Sequence, residues 1–351
     1  MDVARAVSFL EESFLKDLLI DSKITDISYN GESIFYVHND FGRLKSDINI
    51  DKQQAKDFIR QIANLSEKQF SYQNPKLDTS FGKYRFNALH QSVARKKNEE
   101  STSFSLRIAS SSLRFNEDNS LDKRVIELLQ ILIDSNVSIV IGGITGSGKT
   151  ELQKYLISLM RENTRTIVID NILELDQFET SPNLDLNIWQ TDEKRESASI
   201  QSLVSTALRS NPDWLIVAES RGKEMLDVLN SSLTGHPIIT TIHAFDVQTM
   251  PHRMVRMVLM NEQKMDFEDV SEDISYHMRF YIYLKRKYNH HGVVQRYISS
   301  ISYLNKQTME EIYGSDGKHI KFNTLSKEAI KMLDLSNASD SFLKTFLEGG
   351  K

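Results

Sequence analysis

The chain has 351 residues, too many for one ordinary domain, and its 40% hydrophobic and 26% charged residues describe a globular protein with a substantial core. Lys plus Arg number 43 against 48 Asp plus Glu, a net charge of −5, so there is no overall basic field of the kind that non-specific nucleic-acid binders use. Cysteine is absent, which excludes disulfide frameworks, thiolate zinc sites and cysteine nucleophiles, and no run approaches the roughly 20 apolar residues of a membrane span.

The N-terminus, Met1 to Arg5, carries an early acid and no long apolar core, so the chain is expected in the cytoplasm, with any membrane contact made through a partner. Val7, Leu10, Phe14 and Leu18 fall near helical spacing, and Asp26 to Gly31 ends a short strand in a turn signal. Residues 33–37 and 44–50 read as strands, and Asp51 is placed to cap a helix running to about Leu65, with Ala55, Phe58, Ile59 and Ile62 on one face. Residues 71–78 read as irregular, 84–93 and 102–108 as strands, and the polar stretch 94–101 as a hairpin loop. Residues 1–110 are thus expected to form an α+β domain. The small and polar residues around Ser110, Ser111 and Asn116 to Ser120 predict a linker over 111–120.

Beyond it, residues 121–305 alternate helix and strand, the signature of a parallel sheet with helices on both faces, and hence an α/β P-loop fold. Ile139, Val140 and Ile141 enter a loop of the form G-x-x-x-x-G-K-T from Gly143 through Gly148, Lys149 and Thr150, and helical spacing follows. In such a loop successive backbone N–H groups turn toward phosphate oxygens, the lysine reaches the β and γ phosphates, and the threonine ligates Mg²⁺. ATP is accordingly expected against Gly143, Thr145, Gly146, Ser147, Gly148, Lys149, Thr150 and Glu151.

The apolar strand 214–218 ends in Glu219, with Ser220 and Arg221 after it. An acid at the C-terminal end of a buried neighbouring strand lies where it can hold Mg²⁺ or orient water, and Arg221 follows on the side where developing phosphate charge needs neutralising. Asp170 and Glu174 offer a second acid pair, one for metal and one for water, though either acid also suits a helix or turn cap. Metal ligation is therefore expected from Thr150, Asp170 and Glu219. His236 and His243 bracket a short strand at a spacing unlike that of a zinc protease; His243, at the strand end, is expected to donate to a phosphate. His290 and His291 read as solvated turn residues. Residues 279–287 and 293–304 predict a hairpin, and 306–351 a charged helical tail.

The order of these segments resembles the secretion and traffic ATPases of type II and type IV secretion, conjugation and Tad-type pili. The phosphate loop carries the likeness together with Asp170 to Leu175 (similar to an Asp box), Leu208 to Gly222, and Thr234 to Pro237 with Thr240 to Ala244 (similar to a His box). In the N-terminal part Asp26 to Gly31, Asn74-Pro75, Gly82 to Asn87 and Ser105 to Ile108 fit the same family. The resemblance implies a RecA-like motor with a smaller N-terminal domain, a homo-hexameric ring at the cytoplasmic membrane face, and partners within a secretion, pilus or conjugation machine. With a net charge of −5, no sequence-specific nucleic acid is expected. The resemblance also implies that Arg85 and Arg107 reach the phosphates and complete catalysis with Glu219, Glu174, Arg221 and His243. Two departures stand out: Asp170-Asn171 replaces the usual Glu-Asp, and Ala218 stands where glycine is usual. The absence of a four-cysteine segment leans toward the conjugation and Tad-like branch. A nucleotide-gated assembly module with little turnover and a DNA translocase are the alternatives to a hydrolysing motor.

Overall fold

The computed structural model describes residues 2–109, 113–115, 121–171, 175–176, 180–192, 195–261, 265–288 and 293–349. The chain divides into two compact units, one of residues 1–111 with 288–295, the other of residues 112–287 with 296–351.

The first unit begins with α1 (Val3–Glu11) and α2 (Lys16–Ile20), followed by β1 (Ile24–Tyr29), β2 (Ile34–His38), β3 (Gly42–Lys45) and α3 (Lys52–Leu65). Asp51 caps α3 through a reciprocal capping box with Gln54, which satisfies two otherwise orphaned backbone donors. β4 (Lys76–Phe81), β5 (Tyr84–Leu89), the short hairpin of β6 (Arg95–Lys96) and β7 (Glu99–Glu100), and β8 (Ser103–Ile108) complete it. The main sheet runs β3-β2-β1-β8-β5-β4. Alternate residues such as Phe86 and Leu106 enter a core shared with Phe58, Ile59 and Ile62 of α3. The first residues of β4, Lys76 to Asp78, fall in the stretch 71–78 whose sequence reads as irregular, because Asn74-Pro75 punctuates it and polar residues dominate.

In the second unit α4 (Lys123–Asp134) leads into β9 (Ile139–Gly143), then α5 (Lys149–Ser158), β10 (Arg165–Asp170) and β11 (Asp185–Gln190). α6 (Ile200–Leu208), β12 (Trp214–Val217), α7 (Met225–Leu233), β13 (Ile238–Ile242), α8 (Met250–Val258) and α9 (Phe267–His277) follow. The chain then forms β14 (Phe280–Tyr288), β15 (Val294–Asn305), β16 (Thr308–Ser315), β17 (Ile320–Phe322), α10 (Lys327–Ile330) and α11 (Asp340–Phe346). The sheet order is β11-β10-β12-β13-β9-β14-β15-β16-β17, parallel from β11 to β14 and antiparallel from β15 to β17.

The side chains alternate between the two faces of this sheet. Ile139, Ile141, Ile216 and Ile282 share one core with α4 and α5. Val140, Leu215, Val217, Ile242 and Tyr281 share the other with α7, α8 and α9. A sheet covered on both faces requires strands as uniformly apolar as β9 and β12, whose residues are all buried.

Residues 306–351 do not form the charged tail that their composition predicts. β16 and β17 extend the sheet, and Leu325, Ala329, Phe342 and Phe346 lie in the core with α4. Ser339 anchors this segment with its N–H and hydroxyl on the Glu127 carboxylate, at 2.6 and 2.7 Å. The apolar residues are sparse here but concentrated on one face, so average polarity misleads. Among the described residues no helix is long and apolar enough to cross a membrane. Most of the predicted linker, Ser111, Ser112 and Asn116 to Ser120, lies outside the described residues, as do His290 and His291.

Candidate active site at the phosphate loop

The parallel strands β9, β10, β12 and β13 all run toward one edge, where ligands of open α/β sheets bind. The register places Gly142 beside Ile242 and Thr240 beside Val217, so Gly143, His243 and Glu219 emerge from that edge together. Because β13 separates β9 from β12, Glu219's strand lies two strand spacings, roughly 10 Å, from the one that feeds the loop.

The loop itself depends on glycine. Gly146 and Gly148 have φ of 73° and 100°, where a side chain would be strained, and a Cβ on Gly143 would lie 2.4 Å from Ser147 Oγ. Lys149 is folded over the loop, its ammonium donating to the carbonyls of Gly143 (3.1 Å) and Ile144 (3.4 Å). Ser147 is buried, and its hydroxyl has no hydrogen-bond partner among the described residues. A glycine-rich loop at a helix N-terminus, a lysine folded over it and a buried hydroxyl with no hydrogen-bond partner among the described residues suit a polyphosphate. Thr145 and Gly146 are exposed at the loop's crest, and Thr150 is half-buried in the first turn of α5.

Glu151 departs from its expected place at the phosphates. One oxygen of its carboxylate accepts the backbone N–H of Arg114 (3.1 Å) and the other the ammonium of buried Lys154 (3.0 Å). Phe115 packs tilted against Tyr155, ring centroids 5.0 Å apart, so residues 114 and 115, inside the predicted linker, are seated on α5.

Glu219 is the best-supported acid. Arg221 donates to its Oε2 at 2.6 Å, and His243 Nε2 stands 2.8 Å from Oε1, off the line that a good hydrogen bond needs. Burial pushes this carboxyl up, but the Arg221 hydrogen bond together with the charges of Arg221, His243 and Lys149 outweighs it and holds Glu219 below the ordinary glutamate value. His243 is pushed down, first by burial and then by the charge of Lys149, with Glu219 pulling the other way. The site is therefore an ionised carboxylate facing a neutral imidazole beside a lysine.

Asp170 is buried at the end of β10. Glu174 lies outside the described residues. No group of three His, Cys, Asp or Glu that would hold a metal occurs among the described residues. Thr150, Asp170 and Glu219 are nonetheless hard oxygen donors, the set that suits Mg²⁺, which takes few protein ligands and completes its shell with phosphate and water. Arg85 and Arg107 belong to the first unit, on β5 and β8.

Several supporting residues escape a sequence reading. Thr241 donates to the carbonyl of Ala218 (2.8 Å) and Ser220 shares a hydrogen bond with Thr240 (2.9 Å), stapling the strand ends that carry Glu219 and His243. The Tyr283 hydroxyl holds the next loop through the carbonyls of Ala244 (3.0 Å) and Phe245. Arg286 and Arg296 approach the phosphate loop from β14 and β15. Small hydroxyls inside an apolar strand were the only available signal for the first group.

Known proteins are similar to this chain in fold and in sequence. A solved structure of the ATPase DotB of Legionella pneumophila superposes with a TM-score of 0.61 at 21% identity, covering 83% of this chain and 80% of that one, a likeness of fold. An uncharacterised protein of Bacillus anthracis is 32% identical over 268 residues, 75% of this chain and 59% of that protein. The type IV secretion system protein VirB11 of Brucella suis is 34% identical over 128 residues, 36% of each chain. The matched stretches span 59% of the Bacillus protein's own length and 36% of VirB11's, in both cases less than two thirds. The family model described as type II/IV secretion system protein matches residues 97–281, a span that contains the phosphate loop, Asp170, Glu219 and His243. The chain belongs to the type II/IV secretion system protein family.

Proposed function

We propose that this chain hydrolyses ATP and, as a homo-hexameric ring at the cytoplasmic face of a membrane, drives a secretion, conjugation or pilus-assembly machine. The observation that carries the reading is Glu219: a carboxylate held ionised at the end of β12, with His243 on it and the charge of Lys149 close enough to lower its pKa. Phosphoryl transfer asks the protein mainly to position groups and stabilise charge. Lys149 and the loop amides would hold the β and γ phosphates, and Glu219 would orient the attacking water through Oε1. Arg221 would meet charge developing on the terminal phosphate. Thr150 with Asp170 would hold Mg²⁺, which neutralises phosphate charge when bound. The family membership and the naming of VirB11 as a type IV secretion system protein support the assignment to such a machine.

Glu219→Gln tests the hydrolytic role. The amide keeps shape and nucleotide binding but should slow phosphate release by about 10²- to 10⁴-fold, leaving ATP on the protein. Wild-type turnover in that variant would move the water-positioning role elsewhere. A second reading, nucleotide-gated assembly with little turnover, draws on the 2.6 Å pairing of Arg221 with Glu219, which engages cation and acid with each other. Gel filtration with and without ATP, beside a phosphate-release assay, separates the two: ring formation without release favours the second.

A further inference from the structure

The pairing of β14 with β9 carries a second group of charges to the phosphate loop, on the side away from Glu219. Leu284 stands beside Gly143 in register, so Arg286, two residues on, runs along the loop on the same face of the strand. A Cβ at Gly146 would lie 2.8 Å from Arg286 Nη1, and one at Gly148 would lie 3.7 Å from Cδ of Arg296. Arg296, from the neighbouring β15, donates its Nε to the Gly146 carbonyl at 3.0 Å. That bond fixes the direction of a planar guanidinium at the loop's crest. Both arginines are half-buried.

A polar object lying across the loop has two distinguishable ends. Glu219 and His243 mark the end where a terminal phosphate would meet water, on the β12–β13 side. β14 lies three strand spacings from β12, about 14 Å, so whatever the phosphate chain is attached to leaves toward β14 and β15. The groups waiting there are planar cations, which stack on aromatic faces and tolerate any base because every base has a π face. We infer that Arg286 and Arg296 form the nucleoside subsite, holding the base of a bound nucleotide against their guanidinium planes. This deepens the nucleotide reading above and rests on it.

On this assignment the pair binds ATP and ADP alike and adds nothing to a phosphate chain that lacks a base. The test is calorimetric titration of the full chain with ATP, ADP and inorganic tripolyphosphate, for wild type, Arg286→Ala, Arg296→Ala and Arg296→Lys. Each alanine variant should weaken ATP and ADP by roughly ten- to hundredfold while leaving tripolyphosphate within about twofold. Arg296→Lys keeps the charge but loses the plane, so it should not rescue. The expected kinetic signature is a raised KM with kcat little changed, as for interactions equal in ground and transition states. Equal weakening of tripolyphosphate, rescue by lysine, or loss confined to ATP would each overturn the inference, since they assign the arginines to the loop's shape, to charge alone, or to the terminal phosphate. Wild-type protein that binds neither nucleotide nor tripolyphosphate would instead overturn the nucleotide reading, and the subsite with it.

Discussion

Arg85 on β5 and Arg107 on β8 stand directly opposite each other in antiparallel register, two cations side by side on the face of the sheet away from the first unit's core. Like charges placed this way weaken a sheet, and here each has an acid nearby: Asp78 lies 3.3 Å from Arg85, and Asp26 sits opposite Arg107 on β1. An anion bound to both would relieve the repulsion further. We predict that Arg85→Ala and Arg107→Ala retain nucleotide binding but slow hydrolysis, by up to about 10³- to 10⁵-fold for a cation that completes the site. Phosphate release at the wild-type rate from the double variant would assign both arginines to the sheet alone.

Lys149→Ala should abolish ATP binding and leave the fold intact. The ammonium donates to the loop carbonyls of Gly143 and Ile144, at 3.1 and 3.4 Å. Its loss removes the point charge that faces the β and γ phosphates. Circular dichroism with a nucleotide titration checks both halves, and undiminished binding would unseat the loop as the site.

His243 should set the acid limb of activity. Its ring is pushed below 6.5 by burial and by the charge of Lys149, so the folded state favours the neutral form. The sign follows: the unfolded chain takes up this proton at higher pH than the folded one, so the stability it contributes is present above about 6.5 and lost as pH falls through the lower folded value. Protonation would also set a cation against Lys149. Wild-type kcat/KM should therefore fall with a midpoint below 6.5, and His243→Asn should flatten that limb above the range where Glu219 titrates. An unchanged profile in the variant places the titration on another group.

Gly142 lies where β9 passes α8, and a Cβ there would meet Met250 Sδ at 2.4 Å and Tyr283 Cδ2 at 3.0 Å. Gly142→Ala should cost about 1–3 kcal/mol through overpacking. Met250→Ala in the same chain should return part of that loss, since it removes the nearer clash. A thermal melt of the single variant matching wild type would contradict the packing.

Phe342→Ala should destabilise the second unit by about 3–5 kcal/mol in urea unfolding, the cost of deleting a fully buried ring. A loss below about 1 kcal/mol would mean that α11 is dispensable to the core.

The parts of this molecule that were legible in the sequence are those whose signal is local. The phosphate loop is contiguous, the Asp51 cap of α3 is a short-range pattern, and β12 is apolar throughout. Strand β11 escaped because it lies at the sheet's edge, where Asp185 and Gln190 are exposed and the residues between them only half-buried. Helix α9 escaped because acids outnumber the residues it buries, Val270, Ile274 and Ser275. Arg286 lies in a stretch that reads as one arm of a hairpin, and nothing in Lys285-Arg286-Lys287 reveals that β14 would pair with β9. Lys287, in the same run, turns to the carbonyl of Asp316 (2.8 Å) and the Tyr297 ring. Pairing is long-range information, and a single sequence does not carry it.

The seating of Phe342 and Phe346 among Val125, Leu128 and Leu132 ties the opening helix of the second unit to residues more than 200 positions later. During synthesis the first unit's sheet, β1 to β8, is complete by Ile108 and is free to fold as it emerges from the ribosome. The second cannot bury the outer face of α4 until Phe346 has been made, so its apolar surface waits through most of translation. A ribosome that pauses after residue 295 would therefore expose this half of the protein to chaperones and to aggregation.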